Sequence, residues 1–228
     1  MAESTRDIKR RIRGISNTRQ ITKAMELVSS AKLRRAREQM EKSRPYYNTV
    51  YSNIRKALST AGNIRHPYLD VRDVNNSLYI VITADRGLAG GFNSNIIRKV
   101  ENEIRDKKDK SYLITVGLKG KEYFERRGYN VIEKFVGITE EPYFSDAREI
   151  GKIVMDLYRK KEIDEVKIIY TEFITTISQE VKELKLLPNE EIKKDIEVKN
   201  SVVEFEPSPE EVLDYLIPKY IESVIYGA

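Results

Sequence analysis

The chain has 228 residues, a net charge of +5 and no cysteine. The lack of cysteine excludes disulfides, thiolate catalysis and zinc-finger sites, and a single histidine excludes metal sites built from several histidines. The charge is uneven, because residues 1–44 carry a net +8 and the remainder a net −3. We therefore expect the N-terminal segment to bind an acidic partner: nucleic acid, anionic lipid or acidic protein loops.

The first 44 residues predict a long helix. Apolar side chains recur there at steps that place them near one helical face: Ile8, Ile12, Ile15, Ile21, Met25 and Val28. Ser4 and Asp7 resemble a capping box, and we expect a helix over residues 5–58 that bends at Pro45 and is stopped by Ala61-Gly62-Asn63. A helix of that length extends beyond what a domain of this size can cover. Its apolar face predicts a partner helix, and its basic face predicts a docking or mechanical role.

Strands and helices alternate in the middle of the chain. The predicted strands are residues 78–84, 112–116, 131–136 and 166–173, and the predicted helices are 93–105, 118–126 and 145–160. We expect Asn93 or Ser94 to cap the first of these helices and Ser145 to cap the third. This alternation is typical of βαβ units and predicts a mostly parallel, Rossmann-like sheet. A last strand, residues 176–187, is expected to pair antiparallel with its predecessor. The longest strongly apolar run, residues 78–83, is too short to span a bilayer, so a soluble or peripheral cytoplasmic protein is expected.

A glycine-rich turn, residues 85–91, follows the first of these strands. Glycines before a helix start allow a phosphate to approach backbone amides, but the spacing is not that of a dinucleotide or P-loop motif. A structural turn or a protein-docking loop is the favoured interpretation. Asp85 is placed for a general base, although we expect it to hold the turn with Arg86. His66 stands alone before a proline and is interpreted as a surface or capping residue.

Two basic stretches, residues 9–13 and 32–37, could bind phosphates. No aromatic residues are interleaved with them, as a single-stranded nucleic-acid site would require. A solvated helix face and a contact with acidic protein loops are the other interpretations.

The C-terminal segment predicts a second helix. Ser208-Pro209-Glu210-Glu211 combines an N-cap, a proline at the first helical position and an acidic third position. A wide apolar stripe follows: Val212, Leu213, Leu216, Ile217, Tyr220, Ile221, Val224 and Ile225. The stripe still continues near Ala228, so we expect this helix to be incomplete, with part of the first helix as its packing partner.

Several motifs in order resemble one family. Arg6-Asp7-Ile8-Lys9-Arg10-Arg11-Ile12 and Ile21-Thr22-Lys23-Ala24-Met25-Glu26-Leu27-Val28 resemble the first helix of the gamma subunit of F-type ATP synthase. The run from Thr83 through Asn93 resembles that family's glycine-rich loop. His66-Pro67-Tyr68, the run from Phe173 through Gln179, and Glu206-Pro207-Ser208-Pro209 match in the same order, so the resemblance covers essentially the whole chain.

The resemblance implies a non-catalytic rotor shaft that couples ion-driven rotation of a membrane c-ring to conformational cycling of an alpha–beta head. The implied fold is α/β: a long N-terminal coiled-coil helix (residues 1–60), a Rossmann-like, mostly parallel base domain (61–207) and the start of a truncated C-terminal shaft helix (208–228). The implied partners are the alpha, beta and epsilon subunits and the c-ring, without nucleic acid, small-molecule substrate, cofactor or metal. The implied location is peripheral, on the cytoplasmic face of the bacterial cell membrane.

The resemblance also implies contact residues, taken over by motif. Contacts with the head are expected from Arg10, Arg11, Lys23, Met25, Asp85, Arg86 and Gly87, and contacts with the c-ring from Phe205 and Glu206.

Two other function classes make different predictions. A nucleotide-binding enzyme using the glycine-rich loop would bind ATP and lose that binding on Gly87→Val. A nucleic-acid-binding coiled coil would bind DNA with a steep salt dependence in preference to an alpha–beta head.

Overall fold

The computed structural model describes residues 4–61, 66–189, 205–206 and 208–228. The helices are α1 (Thr5–Ala61), α2 (Phe92–Ile104), α3 (Leu118–Arg126), α4 (Phe144–Arg159) and α5 (Pro209–Gly227), with a short 3-10 helix at Arg105–Lys110. The strands are β1 (Ser77–Ile82), β2 (Ser111–Val116), β3 (Asn130–Phe135), β4 (Glu165–Phe173) and β5 (Gln179–Leu187). The predicted α/β class, with a long first helix, a mostly parallel sheet and a final helix, is confirmed. The predicted helix stop at Gly62-Asn63 lies outside the described residues.

The chain divides into two compact units, Met1–Tyr46 and Tyr47–Ala228. In the first unit α1 exposes the apolar side chains of the predicted stripe, from Ile8 at 44% to Ile15 at 62%. Ion pairs one turn apart run along its surface: Arg10–Asp7 at 3.0 Å, Arg34–Glu38 at 3.1 Å and Arg37–Glu41 at 3.0 Å. Such exposed pairs add only a few tenths of a kcal/mol each, so this segment has little stabilisation of its own beyond its helical hydrogen bonds.

The second unit is built on a five-stranded sheet of order β3-β2-β1-β4-β5. β1 pairs parallel with both β2 and β4, and β2 pairs parallel with β3. Among the strands in the described part of the chain, β5 alone is antiparallel, and it pairs with β4, as predicted for the last strand. All four parallel strands therefore end at one edge of the sheet, called here the carboxyl edge; the opposite edge is the amino edge.

Helices cover both faces of this sheet. Successive residues of β1 point to opposite faces, so Leu78 and Ile80 join one core cluster while Tyr79 and Val81 join the other. The first cluster includes residues from the last part of α1, from α4 and from α5, and the second includes residues of α2 and α3. The central strands are buried on both faces, so their residues are apolar without interruption. These apolar runs are the pattern that predicted the strands from the sequence.

Helix α5 runs antiparallel to α4. Near its end the Tyr226 ring meets Phe144, the first residue of α4, with ring centroids 5.6 Å apart. Near its start Asp214 accepts a hydrogen bond from His66 Nε2 at 3.0 Å. His66 belongs to the segment before β1, whose Tyr68 carbonyl accepts from Asn189 N–H just after β5. The start of α5 therefore lies at the amino edge of the sheet, and its end lies toward the carboxyl edge.

Tyrosines join α5 to the last part of α1. The Tyr220 ring lies 5.6 Å from that of Tyr47 and 5.8 Å from that of Tyr51, between centroids. The stripe of α5 therefore packs in part on the first helix, as predicted, and in part on α4.

The outer strand β5 carries a dense set of charges. Glu183 pairs with Lys99 of α2 at 2.9 Å and with Lys167 of β4 at 2.7 Å. Burial disfavours the Glu183 carboxylate, but hydrogen bonds from the two lysines outweigh it and lower its pKa to about 2. Lys182 also pairs with Glu180, at 3.2 Å. The other outer strand, β3, is largely exposed.

Two predicted helix caps are wrong, and the interpretation of His66 is only partly right. Helix α2 is capped at Gly91, not Asn93 or Ser94, and α4 begins at Phe144, with Tyr143 rather than Ser145 at its N-cap. The Asp146 carboxylate there accepts from Tyr143 N–H at 2.8 Å. His66 is 4% exposed, so it is not a surface residue, but its Nδ1 accepts from Tyr68 N–H at 3.3 Å, which fits the capping role named as the other possibility.

Other helix predictions hold. Ser208 caps α5 as predicted, accepting from Glu211 N–H at 3.2 Å. None of the helices in the described part of the chain combines the length and apolarity needed to cross a membrane.

Candidate functional site

The glycine-rich turn lies at the carboxyl edge, where β1 and β2 are tied together. Thr83 Oγ1 donates to Val116 C=O at 2.9 Å and accepts from Gly120 N–H at 2.9 Å. The two strands approach so closely that a Cβ on Gly117 would lie 2.2 Å from Thr83 O, and Gly117 has φ +90°. Only glycine fits there, because both the conformation and the contact exclude a side chain.

Asp85 is the centre of this turn. Its carboxylate accepts from Leu118 N–H at 2.9 Å, from Gly137 N–H at 3.0 Å, and from Thr139 through N–H at 3.2 Å and Oγ1–H at 2.6 Å. Its own N–H donates to Thr139 Oγ1 at 3.1 Å. One side chain therefore joins three segments: the turn, the start of α3 and the segment after β3.

The negative charge of the Asp85 carboxylate is stabilised by these hydrogen-bond donors. Partial burial disfavours the carboxylate, but the hydrogen bonds from Gly137, Thr139 and Leu118 outweigh it, so the pKa of Asp85 lies below its usual value. A general base needs a raised pKa and a free lone pair directed at a substrate. Asp85 instead holds the turn in place, which was the favoured interpretation of the sequence.

Arg86 and Asn93 complete the framework. Arg86 pairs with Glu140 at 2.6 Å while its side chain remains 79% exposed. Asn93 Oδ1 accepts from Ala84 N–H at 2.9 Å, and its Nδ2 donates to Arg86 C=O at 3.2 Å. Asn93 therefore fastens both sides of the turn, which explains why it does not cap α2.

Leu88 stands at the tip of the turn and is a residue that the sequence reasoning missed. It is 95% exposed and has φ +61°. A bulky residue with positive φ is uncommon and costs roughly 1–2 kcal/mol. Nothing in the local sequence indicates this conformation, since the nearby glycines Gly87 and Gly90 are the residues expected to take a positive φ.

A shallow groove of about 460 Å³ lies beside the turn, between α2 and α3. Lys119 and Glu122 pair along its α3 side at 3.1 Å, and the Arg127 guanidinium covers the Tyr123 ring at 3.6 Å from its centroid. Asn93, Ser94 and Glu101 of its lining bond to neighbouring residues, so part of its polar surface is already engaged within the protein. Within the described part of the chain, no three metal-binding side chains come together.

The predicted contact residues fall into three places. Arg10, Arg11, Lys23 and Met25 are exposed on α1 in the first unit. Asp85, Arg86 and Gly87 lie in the turn at the carboxyl edge of the second unit. Phe205 packs partly against the core and Glu206 is exposed, and both immediately precede α5, which starts at the amino edge. The structure therefore places the last two groups at opposite edges of one sheet.

Comparison with known proteins identifies the family. The family model described as ATP synthase matches residues 4–228. The ATP synthase gamma chain of Alkaliphilus metalliredigens is 48% identical over 233 residues, covering 100% of this chain and 80% of that relative. The gamma chain of Acetobacterium woodii, described as sodium ion specific, is 42% identical over 246 residues, covering 100% and 81%.

A solved structure agrees. The central stalk and c-ring of the Tetrahymena thermophila mitochondrial ATP synthase includes a chain that matches with a TM-score of 0.70 and 26% identity, covering 91% of this chain and 90% of that one. The matches in sequence and structure extend over both the long helix and the sheet unit. This chain therefore belongs to the ATP synthase gamma chain family.

Proposed function

We propose that this chain is the central rotor shaft of an ATP synthase, turning with a c-ring and driving the alpha–beta head through its conformational cycle for ATP synthesis or hydrolysis. As a gamma chain it is a non-catalytic subunit of the complex. The observation that carries this proposal is similarity to gamma chains over the full length of the chain.

Helix α1 supplies the proposed contact with the head. Arg10, Arg11, Lys23 and Met25 are exposed on it, within a segment of net charge +8. Diffuse positive charge attracts acidic loops without fixing a single geometry, which suits a surface that must move past several copies of one partner. The apolar stripe of the same helix is proposed to pair with a further helix of the shaft.

The sheet unit supplies the other proposed contacts. Asp85, Arg86 and Gly87 at the carboxyl edge are proposed to position the rotor against the head, and Phe205 and Glu206 at the amino edge to contact the c-ring. Opposite edges of one sheet suit a part that lies between two partners. The epsilon subunit is proposed to bind beside this unit, with the whole assembly peripheral on the cytoplasmic face of a bacterial cell membrane.

Reconstitution tests the proposal. The chain is mixed with purified alpha and beta subunits, and complex formation is followed together with ATP hydrolysis. We expect a stable complex with stimulated hydrolysis, weakened by the double variant Arg10→Glu/Arg11→Glu. The control is Lys152→Glu on the exposed surface of α4, which reverses one positive charge as each arginine substitution does. It should leave the complex intact. The proposal would be contradicted if no complex formed with this chain and none formed with the same chain carrying an appended C-terminal helix.

The nucleotide-binding alternative has its own test. ATP binding to the isolated chain is measured by calorimetry for the parent and for Gly87→Val. The negatively charged Asp85 carboxylate would repel a phosphate, and it already accepts from the N–H groups of Leu118, Gly137 and Thr139, so we expect no ATP binding by either protein. Binding by the parent that Gly87→Val removes would favour the enzyme class instead.

A further inference from the structure

The segments that lead into three of the parallel strands, at the amino edge of the sheet, are rich in basic side chains. They precede β2, β3 and β4 and are residues 105–110, 126–129 and 159–164. Together they carry nine basic and four acidic side chains, a net charge of +5. The nine are called here the basic band: Arg105, Lys107, Lys108, Lys110, Arg126, Arg127, Arg159, Lys160 and Lys161.

The carboxyl edge has the opposite charge. The segments that follow β1, β3 and β4 there carry one basic and three acidic side chains: Arg86 against Asp85, Glu140 and Glu141. The positive charge of the sheet unit is therefore concentrated at its amino edge. The segment before β1 adds Arg72, which pairs with Asp164 at 3.0 Å, and the acidic Asp70 and Asp73. These do not cancel the net charge of the band.

Contacts within the sheet unit hold the basic band in place. Lys108 Nζ donates to Arg127 C=O at 2.9 Å and lies 4.4 Å from the centroid of the Tyr129 ring, which joins the segment before β2 to that before β3. The strand order β3-β2-β1-β4 spreads the band over three strand spacings, about 14 Å. Eight of the nine side chains are exposed and Lys107 is half-buried. The band is thus a broad, ordered and accessible positive surface.

Lys161 stands where a helix end usually has glycine. Helices α3 and α4 end in the same way: Gly128 N–H donates to Glu125 C=O at 3.0 Å, and Lys161 N–H donates to Tyr158 C=O at 3.1 Å. Both residues have positive φ, +66° for Gly128 and +60° for Lys161. Glycine takes this conformation without strain, whereas a lysine there is uncommon. Such exceptions concentrate at functional sites, and this one places a charge in the basic band.

The composition of the basic band suits a lipid surface better than a protein. Five of its nine members are lysines. The large apolar side chains that are exposed in the described part of the chain all lie outside its three segments. The centre of a protein interface is enriched in aromatic and other apolar anchors and depleted in lysine. Anionic lipid headgroups, in contrast, attract clustered lysine and arginine without requiring a complementary shape.

We propose that the basic band binds the anionic headgroups of the membrane around the c-ring. The inference rests on the proposed function, in which Phe205 and Glu206 at the amino edge contact the ring, so that this edge faces the membrane surface. Lipids are mobile in the plane of the membrane. Attraction to them holds the base of the shaft near the surface without fixing its rotational angle.

Acidic side chains lie on the other side of the same edge. Glu210 and Glu211 open α5, whose Asp214 contacts His66 at 3.0 Å. The segment that contains His66 bonds to Asn189, just after β5. The proposed ring contact before α5 therefore lies toward β5, whereas six of the nine basic side chains lead into β2 and β3. The edge offers separate places to the ring and to the lipid.

The experiment measures binding of the reconstituted complex of this chain with alpha and beta subunits to lipid vesicles by co-sedimentation. In the proposed function the head covers the basic helix α1, so the vesicle meets the sheet unit. One set of vesicles contains equal parts of phosphatidylglycerol and phosphatidylcholine, and the other contains phosphatidylcholine alone. The alpha–beta head without this chain is measured alongside. We expect tighter binding of the complex to the anionic vesicles than to the neutral ones, weakened by salt.

The test variant is Lys110→Gln/Lys160→Gln/Lys161→Asn, because asparagine also accepts the positive φ of residue 161. The control removes three exposed positive charges from α2 and α4, away from the amino edge: Arg98→Gln/Arg148→Gln/Lys152→Gln. Each basic residue near an anionic surface changes the affinity about fivefold. We therefore expect the test variant to bind the anionic vesicles at least about tenfold more weakly than the parent, and the control to match the parent. Thermal unfolding by circular dichroism checks that the folds match.

The outcomes separate the lipid contact from the rotor role. If the parent does not assemble with the head, the proposed function fails. If it assembles but binds anionic vesicles no better than neutral vesicles, or no better than the head alone does, the lipid contact is refuted and the rotor role stands. Parent-like binding by the test variant, or equal weakening by the control, also refutes it. If the test variant loses affinity for a c-ring held in phosphatidylcholine vesicles, the partner is the ring and the inference is overturned.

Discussion

Removing the Asp85 carboxylate should destabilise the sheet unit substantially. In Asp85→Ala, three backbone N–H groups and the Thr139 hydroxyl lose their acceptor. Hydrogen bonds to a charged group contribute about 1.5–3 kcal/mol each when buried and less when water can replace the acceptor. Asp85 is only partly buried. Taking about 0.5–1 kcal/mol for each of the four bonds gives an expected loss of about 2–4 kcal/mol in the free energy of unfolding.

Urea-induced unfolding followed by circular dichroism measures this loss. The midpoint should fall while the dependence on urea concentration stays constant, since the folded state remains compact. Asp85→Asn should lie between the parent and Asp85→Ala, because the amide retains one acceptor oxygen but turns a donor toward other donors. Asp109→Ala, which removes an exposed aspartate, is the control. A loss below about 1 kcal/mol for Asp85→Ala, or one equal to the control, would refute the reasoning.

The pH dependence provides a second readout of the same group. The pKa of Asp85 is lower in the folded state than in the unfolded chain. Its contribution is therefore fully present above the unfolded value of about 3.9 and is lost as pH falls through the folded value. The stability difference between the parent and Asp85→Asn should stay constant from neutral pH down to about pH 5 and shrink below about pH 4. A constant difference down to pH 2 would contradict the assignment of the charge.

Three further outcomes are expected. Gly117→Ala should lower the free energy of unfolding by about 3 kcal/mol or more, because its Cβ would lie 2.2 Å from Thr83 O. Gly128→Ala, which has φ +66° and open space around the new Cβ, should lower it by about 1 kcal/mol. Equal losses in denaturant unfolding would be inconsistent with the clash at Gly117. Glu183→Gln should reduce the loss of stability that the parent shows as pH falls from the usual carboxyl range toward about 2, and unfolding at stepped pH measures the reduction. Gly14→Ala should stabilise the helical state of α1 by about 0.5–1 kcal/mol, because no atom lies within 4 Å of the new Cβ. Circular dichroism should show a higher helix content and a higher melting temperature. A decrease in either would indicate an unrecognised contact at that position.

The elements were predictable where the signal is periodic or strictly local. The exposed stripe of α1 follows from its spacing, the buried strands from their apolar runs, and the start of α5 from Ser208 followed by proline and two acidic residues. The wrong caps show where local rules fail. Asn93 is a good capping residue in isolation, but the sheet edge gives it two other backbone partners. Tertiary contacts there outweigh a local preference.

The candidate site was predictable only in outline. The position of Asp85 after a strand could be read from the sequence, but its donors are separated from it by 33 to 54 residues. Leu88 has a backbone angle that its neighbours in sequence do not indicate, and the buried His66 is hydrogen-bonded to Asp214, which lies 148 residues away in the sequence. When the contacts of a side chain come from residues far away in the sequence, the residues next to it give no indication of those contacts.

The charges on the outer strand β5 affect how the subunit behaves before it is assembled. An edge strand with free backbone groups invites pairing with the edge of another molecule, which leads to aggregation. On β5, Lys182 pairs with Glu180 and Glu183 pairs with two lysines of neighbouring elements, so a second sheet approaching this edge would have to bury or separate these charges. We therefore expect a newly synthesised chain to join copies of itself more slowly, which would leave it more time to meet its partners.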